Sequence, residues 1–553
     1  MFALTDALLR DIASLRPSAA TFWGINGYDH AWDDFGPRGA AAAISAFEHH
    51  KLQIDNAPRA NARDELAALF ARDFIDVELE RLREGDHLVD LNNIASPFQN
   101  IRMVFDVMNT STREGWQNIA ERLATIDRAL ETYKEALEEG RRSGRTAAVR
   151  QVDAAIEQGR VHAGESSSFR TLATTFASSS VFDAALASRL DDAIAHAQRA
   201  YADLTDYLEQ TYRPAATPTD GFGEERYARK ARAFLGMSID LRETFAWGWD
   251  EIRRLSARME NVAAQINPGA SLDEVITLLE RDPSRCAHSP RELVRFVAER
   301  QARAVEELSG THFDIPAPVR NVDVKLAPPG STLGAYYVPP SPDFSRPGSI
   351  WYSPGNNPLI PLYSEVSTAY HEGFPGHHLQ LGVQVSLSDE LSLLHRVMIT
   401  DFQTGYAEGW ALYAERLMEE LGYLEKPEYV LGMLACQMMR ACRVVLDIGA
   451  HLGLHAPKDA PHRPGALIDF DYGVGMLVRL GRMNEAHARS EMTRYLGWPG
   501  QAIAYKVGER VMLGLRDEVR ARQGSSFDLK KFHASILSTG AIGLGALRKL
   551  VLA

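Results

Sequence analysis

Cysteine is nearly missing from this chain: Cys286, Cys436 and Cys442 are the only three in 553 residues, and none stands in a CxxC pair. So few thiols exclude a disulfide framework and fit a reducing compartment. Cys436 and Cys442 lie in an apolar helical stretch and read as small buried hydrophobes. A basic tract is also lacking. Against 60 Lys and Arg stand 73 Asp and Glu, for a net charge of −13, which excludes a non-specific nucleic-acid or anionic-membrane binder, because counterion release needs clustered cations. No apolar run reads as long enough to cross a bilayer. The opening MFALTDALLRDIASLRPSAATFWG carries Asp6 and Asp11 in its apolar part and no basic residues before it, unlike a secretory signal. These absences predict a cytoplasmic protein with no nucleic-acid and no membrane partner.

What is present is mostly helix. A chain of 553 residues is too long for one simple core, so two lobes are expected. Up to about Gln301, segments such as RANARDELAALFARDFIDVELERLREG and RETFAWGWDEIRRLSARMENVAAQI repeat apolar residues at three and four spacing. No fixed-period repeat interrupts them. ESSS at 165–168 reads as a polar joint, and AATPTDGFG at 215–223 as a loop or internal boundary. Between 319 and 358 the texture changes. VRNVDVKLA alternates like a strand, and GAYYVPPSPDFSRPGSIWYS reads as two short aromatic strands around a proline-rich connection. Helical texture then returns to the end. The reading is a mainly α, large multi-helix body with one small β-sheet beside the site discussed next. A helical part (1–310) and a catalytic part (311–553) would form one continuous two-lobed unit.

The stretch YHEGFPGHHLQ, 370–380, opens like a zinc-peptidase helix. A catalytic zinc needs three protein ligands, an open position and a neighbouring carboxylate to take a proton from water. HEXXH supplies two histidines and that carboxylate on one helix face. His371 and Glu372 fit its first half, but Pro375 stands where the second His belongs. His377 is six residues on, about 240° round a helix, and His378 seven on, roughly 10 Å along the axis. Pro375 and Gly376 break or bend the ladder and bring a later histidine back toward His371. Spacing does not choose between His377 and His378.

A third ligand is wanted downstream. FQTGYAEGWALYAERLMEE offers Glu408 and Glu415, seven apart on an amphipathic helix, with Glu408 between Ala407 and Gly409, small residues that allow a second helix close. Each acid or histidine alone reads more simply as a solvated or packed residue. Together they point to a metal site.

HEGFPGHH resembles the HExxPGHH signature of the bacterial domain-of-unknown-function family 885. That family's fold is similar to that of Taq-type carboxypeptidases and, more distantly, of thimet-like oligopeptidases and angiotensin-converting enzymes, all helical, cleft-bearing zinc peptidases. AEGWALYAE, 407–415, is similar to the NEGFAxYxE segment of zinc aminopeptidases, whose first Glu is a zinc ligand; the resemblance implies that role for Glu408. In thimet-like enzymes a Gly precedes the second His, as Gly376 precedes His377, which favours His377 over His378. RPSAATFWGINGYDHAWDD, AYYVPPSPDFSRPGSIWYS, RACRVVLDIGAHLGLHA and TRYLGWPGQAIAYKVGE resemble other pieces of the same family, so the likeness covers most of the chain.

The expected activity is hydrolysis of short peptides by a zinc metallopeptidase, carboxypeptidase-like or oligopeptidase-like. Zn²⁺ would be held by His371, His377 or His378, and Glu408, with Glu372 as the base. By analogy with related peptidases, Tyr505 is the first candidate for an oxyanion donor and His451 the second; a packed helix residue is the competing reading of both. Tyr336 and Tyr337 alternate on a strand that can offer its edge to a peptide. Arg440 and Arg443 are candidate anchors for a substrate carboxylate, although an Arg443–Asp447 ion pair four residues apart competes. The alternatives are a zinc hydrolase of a non-peptide amide or ester and a catalytically silent binding protein that keeps the fold. Glu372 argues against the last, since a structural zinc needs no base.

Overall fold

Leu241–Ile266 and Pro427–Leu452 are helices of 26 residues each, about 39 Å long, and they lie along one another. Gly248 makes this possible, because a Cβ there would stand 2.8 Å from Val445. By length and composition the Pro427–Leu452 helix could cross a membrane, contrary to the sequence reading, yet 78% of its apolar window is buried inside the protein. Its apolar residues pack against neighbouring helices of the same compact unit.

The computed structural model describes residues 1–327, 334–341, 343–355, 358–398 and 400–553. It is mainly helical, as the periodicity predicts, and its chain divides into two compact units. Met1–Gly221 makes up nearly all of the first; the second is Phe222–Arg396, Thr400–Tyr495 and Pro499–Ala553. The second unit thus begins within the turn-rich segment 215–223.

In the first unit the Ala184–Tyr207 helix packs against its neighbours around Trp116, Tyr133, Phe169 and Tyr201, all at most 1% exposed. Arg122 is fully buried there and stays charged through satisfied donors. Its guanidinium donates to the Thr21 hydroxyl at 2.9 Å and to the Ala31 carbonyl at 2.8 and 3.0 Å. That fastens the N-terminal FWGINGYDHAW segment to the bundle.

In the second unit three strands form where the texture changes. Gly348–Ser353 is central, parallel to Val322–Leu326 and antiparallel to Gly334–Val338. Ile350 and Tyr352 pack inward against Leu293, Val297 and Ala369, so the sheet lies against the helix that carries His371. A two-residue ladder, Cys286–Ala287 with Ile360–Pro361, has no alternating pattern to announce it.

Candidate metal centre

The His371 helix, Leu362–Glu372, stops one residue after its histidine. A new helix, His377–Ser386, begins at the next one. The expected bend is therefore a full break, joined by residues 373–376. Both glycines are required by close approach: a Cβ on Gly376 would lie 2.0 Å from the His371 carbonyl, and one on Gly373 2.2 Å from Gln301 Oε1. The Phe374–Pro375 peptide is cis. Gln301, 1% exposed, bridges the break by donating to the Ala369 carbonyl at 2.8 Å and accepting from the Phe374 amide at 2.6 Å. Trp410 Nε1 donates to the Pro375 carbonyl at 2.9 Å, and the His378 amide donates to the Gly373 carbonyl at 3.2 Å. The backbone groups freed by the break thus find partners in the interior.

The joint delivers His377 beside His371, with ring centroids 4.9 Å apart. The Thr404–Glu420 helix brings Glu408 to both: its Oε2 lies 3.4 Å from His371 Nε2 and 3.5 Å from His377 Nε2. His371, His377 and Glu408 form a metal-competent group, with donor atoms all within 4.8 Å of one another. Ligand bonds of about 2.0–2.1 Å at tetrahedral angles place donors about 3.3–3.4 Å apart, so the residues present fit zinc. Glu408 Oε2 is moreover buried without a hydrogen-bond partner, an expensive position for a carboxylate oxygen unless a cation belongs there.

His378 is the other histidine that the spacing allowed, and the structure takes it away from this group. Its Nε2 donates to the Val319 carbonyl at 2.7 Å, and its Nδ1 meets the Tyr337 hydroxyl at 3.0 Å. Burial pushes its pKa down to about 4, so it is a neutral core imidazole with both nitrogens occupied. The pairing also settles the two strand tyrosines. Tyr337 points inward to His378, while Tyr336 is 41% exposed and stacks on Trp351.

Behind His371 sits Glu415, 1% exposed. Its carboxylate takes His371 Nδ1 at 2.8 Å and the Ser367 hydroxyl at 2.5 Å. Arg440 Nη2 lies 3.5 Å from both Glu415 and His371. A carboxylate on the far nitrogen fixes the imidazole tautomer and turns Nε2 toward the centre. The sequence offered Glu415 beside Glu408, seven residues and two helical turns apart on one face, with no sign that it would stand behind His371. Gly409 has a different use from the expected one. A Cβ there would lie 2.5 Å from Gly508, so it seats this helix on the Ala504–Gln523 helix, not on the histidines.

The electrostatics are those of an acid-lined site. Burial and the Arg440 charge push His371 down, but Glu408 and Glu415 outweigh them and carry it up to about 9. Burial raises Glu408, yet His377 and His371 hold it far below the ordinary carboxylate range. Glu372, half-buried at the helix end, is raised by burial and opposed by the two histidines. Raised proton affinity is what a carboxylate needs to take a proton from water and return it.

Tyr505 lies under both arginines, Arg440 at 5.8 Å and Arg443 at 5.0 Å from its ring centre. Burial and the Glu408 charge raise its pKa, keeping the phenol protonated. His451 is elsewhere: it donates to the Tyr495 carbonyl at 3.1 Å and stacks on Tyr227, a packed residue without a place in the centre. Arg443 donates to the Tyr495 hydroxyl and to Glu491, each at 2.9 Å. The competing Arg443–Asp447 pair does not form, because Asp447 accepts from the Tyr227 hydroxyl and the Gly500 amide at 2.9 Å. Arg443 is thus engaged by Tyr495 and Glu491, while Arg440 turns its Nη2 toward Glu415 and His371.

Residues 17–551 match the family described as bacterial protein of unknown function, DUF885. The chain belongs to that family. Among curated proteins none matches it. Two solved structures share its fold along essentially the whole length. One, described as a candidate lipoprotein from Colwellia psychrerythraea, is 22% identical with a TM-score of 0.85, covering 100% of this chain and 98% of its own. The other, a candidate lipoprotein of unknown function from Shewanella oneidensis, is 16% identical with a TM-score of 0.76, covering 100% of both chains. A carboxypeptidase from Pyrococcus furiosus is 12% identical over 93% of this chain and 98% of its own, and its TM-score of 0.32 is too low to establish a common fold.

Proposed function

We propose that this DUF885 protein is a zinc-dependent metallopeptidase acting on short peptides in the cytoplasm. The observation that carries the reading is the convergence of His371, His377 and Glu408 around an orphaned carboxylate oxygen, with Glu372 adjoining the first ligand. Zinc held there would supply Lewis acidity, polarising a substrate carbonyl and making water easier to deprotonate. Glu372 takes the proton of the attacking water and returns it to the leaving amine. Tyr505, kept as a phenol, donates to the oxyanion that develops on the carbonyl. Glu415, Ser367 and Arg440 hold His371 in register. The edge strand Gly334–Val338 offers unpaired backbone groups to an extended peptide.

The test combines metal analysis with digestion of a peptide library. The expected result is about one zinc per chain, with cleavage falling about 10²–10⁴-fold in Glu372→Gln while zinc is retained. A zinc-loaded chain that cuts no peptide would transfer the site to a non-peptide amide or ester, and a chain that binds no zinc would overturn the metal centre. Its three free cysteines agree with a reducing compartment. Because two structural relatives are described as candidate lipoproteins, cell fractionation is the check on that placement.

A further inference from the structure

The His371 helix carries a second acid that the reaction does not use. Glu365 lies seven residues before Glu372, two helical turns and about 10 Å along the same face. It is half-buried, yet it makes no hydrogen bond or ion pair among the described residues. An acid in a helix's first turn is ordinarily eased into its charged form by the dipole. Burial instead raises Glu365 to about 7, and no neighbouring cation opposes the rise.

A second, separate observation points into the same space. Tyr352, on the central strand, is 2% exposed, and its hydroxyl is buried without a hydrogen-bond partner. Tyr352 packs in one cluster with Ala369, which stands between Glu365 and Glu372 on the same helix face, and after burial the charges of both acids raise its phenol further. On the other side the Pro427–Leu452 helix approaches closely, since a Cβ on Gly432 would stand 1.9 Å from the Tyr363 carbonyl. Glu365 and the Tyr352 hydroxyl thus meet on the helix face that carries the base, and neither has a hydrogen-bond partner among the described residues.

We infer that Glu365 and Tyr352 form a cation subsite that takes an ammonium group of the substrate. The substrate class rests on the peptidase reading; ammonium binding by this pair does not. With extended peptide rising about 3.3 Å per residue, 10 Å places the ammonium about three residues from the cleaved bond if it is the α-amine. It lies nearer if it is a lysine side chain. Either source brings an alkylammonium that donates to Glu365 and to the Tyr352 oxygen.

Two experiments test the subsite. In the first, kcat/KM is measured for matched peptides with free and acetylated N-termini, and with Lys or norleucine at successive positions. The wild-type protein should prefer one of the cationic members by tenfold or more, chiefly through KM. That ratio should collapse toward one in Glu365→Gln and fall severalfold in Tyr352→Phe, with zinc content and melting temperature unchanged. Which pair shows the preference identifies the ammonium. A wild type indifferent to charge, or a ratio that survives Glu365→Gln, overturns the inference. The second experiment needs no turnover: n-butylamine and 1-butanol are titrated calorimetrically into zinc-loaded Glu372→Gln protein. The amine should bind at least tenfold tighter and release a proton near pH 7, and adding Glu365→Gln should erase the difference. Equal binding, or a preference that persists without Glu365 because the amine sits on zinc, overturns it. If peptides are not cut while the amine binds through Glu365, the peptidase reading fails and the subsite stands.

Discussion

Replacing Glu415 by Gln separates the metal-orienting shell from the ligands themselves. The substitution preserves size, and a carboxamide oxygen can still accept from Ser367 Oγ or His371 Nδ1, now 2.5 and 2.8 Å away. What disappears is the negative charge opposite a histidine that is 4% exposed and beside Arg440. Loss of such an outer partner costs about 10–100-fold in metal affinity, or about 1.4–2.7 kcal/mol. Glu415 also strengthens proton binding at His371, raised to about 9, so part of the loss is hidden at neutral pH by easier proton release. Zinc affinity is therefore best measured by chelator competition from pH 7 to 10. The variant should reach its plateau at lower pH, and that plateau should lie 10–100-fold below wild type. Glu415→Gln with the wild-type plateau and profile would refute the idea that this carboxylate orients His371.

His377→Ala should lose zinc by mass spectrometry, whereas His378→Ala should keep it and lose stability instead, because the Val319 carbonyl and Tyr337 hydroxyl are left unpaired; the reverse pattern would exchange their roles. Gly376→Ala forces a Cβ to within 2.0 Å of the His371 carbonyl, and should abolish zinc binding with a lowered Tm while Glu408 remains. Burial lowers His395 to about 3 and His533 to about 4, against about 6.5 in the unfolded chain. Above pH 6.5 neither state takes the proton and no stability is lost. Below it the unfolded state alone is protonated, so stability should fall by about 2 kcal/mol per histidine between pH 6.5 and 5, by urea denaturation. His533→Gln should flatten that slope.

The helical class and the three-strand insert were legible because apolar periodicity is local, and the strands at 322–326, 334–338 and 348–353 fall where the pattern changes. The residues of the candidate metal group were legible in type but not in geometry. A continuous helix relates His371 to later residues by fixed angles; a broken one does not, so spacing could not choose between His377 and His378. The choice depends on Val319 and Tyr337, which occupy both nitrogens of His378 from 59 and 41 residues away. His451 and Arg443 looked available because their partners, Tyr495 and Glu491, lie 44 to 52 residues downstream. Arg443 and Asp447 share a helix face, but each finds a better tertiary partner, which outweighs the few tenths of a kcal/mol of a four-residue pair. Glu365 drew no attention because an acid in a first helical turn is ordinary until its surroundings are seen.

The two-residue expansion between His371 and His377 trades helix continuity for a joint held from outside, and the supports of that joint also belong to the metal site. Trp410, which donates to the Pro375 carbonyl, stands two residues after Glu408 on the same helix. A shift of that helix therefore moves Glu408 and the support of His377 together. Gly409, between them, seats the helix on Gly508, while Glu415, two turns from Glu408, holds His371. One helix thus supplies a candidate ligand, the outer partner of another and the clamp on the joint that delivers the remaining one. In HEXXH the spacing of two histidines is guaranteed by their own hydrogen-bond ladder; here it is guaranteed by Gln301 and Trp410. The pattern behind the candidate metal group is accordingly the pair HEGFPGHH and AEGWALYAE read together, because the first places its histidines only when the second is packed against it.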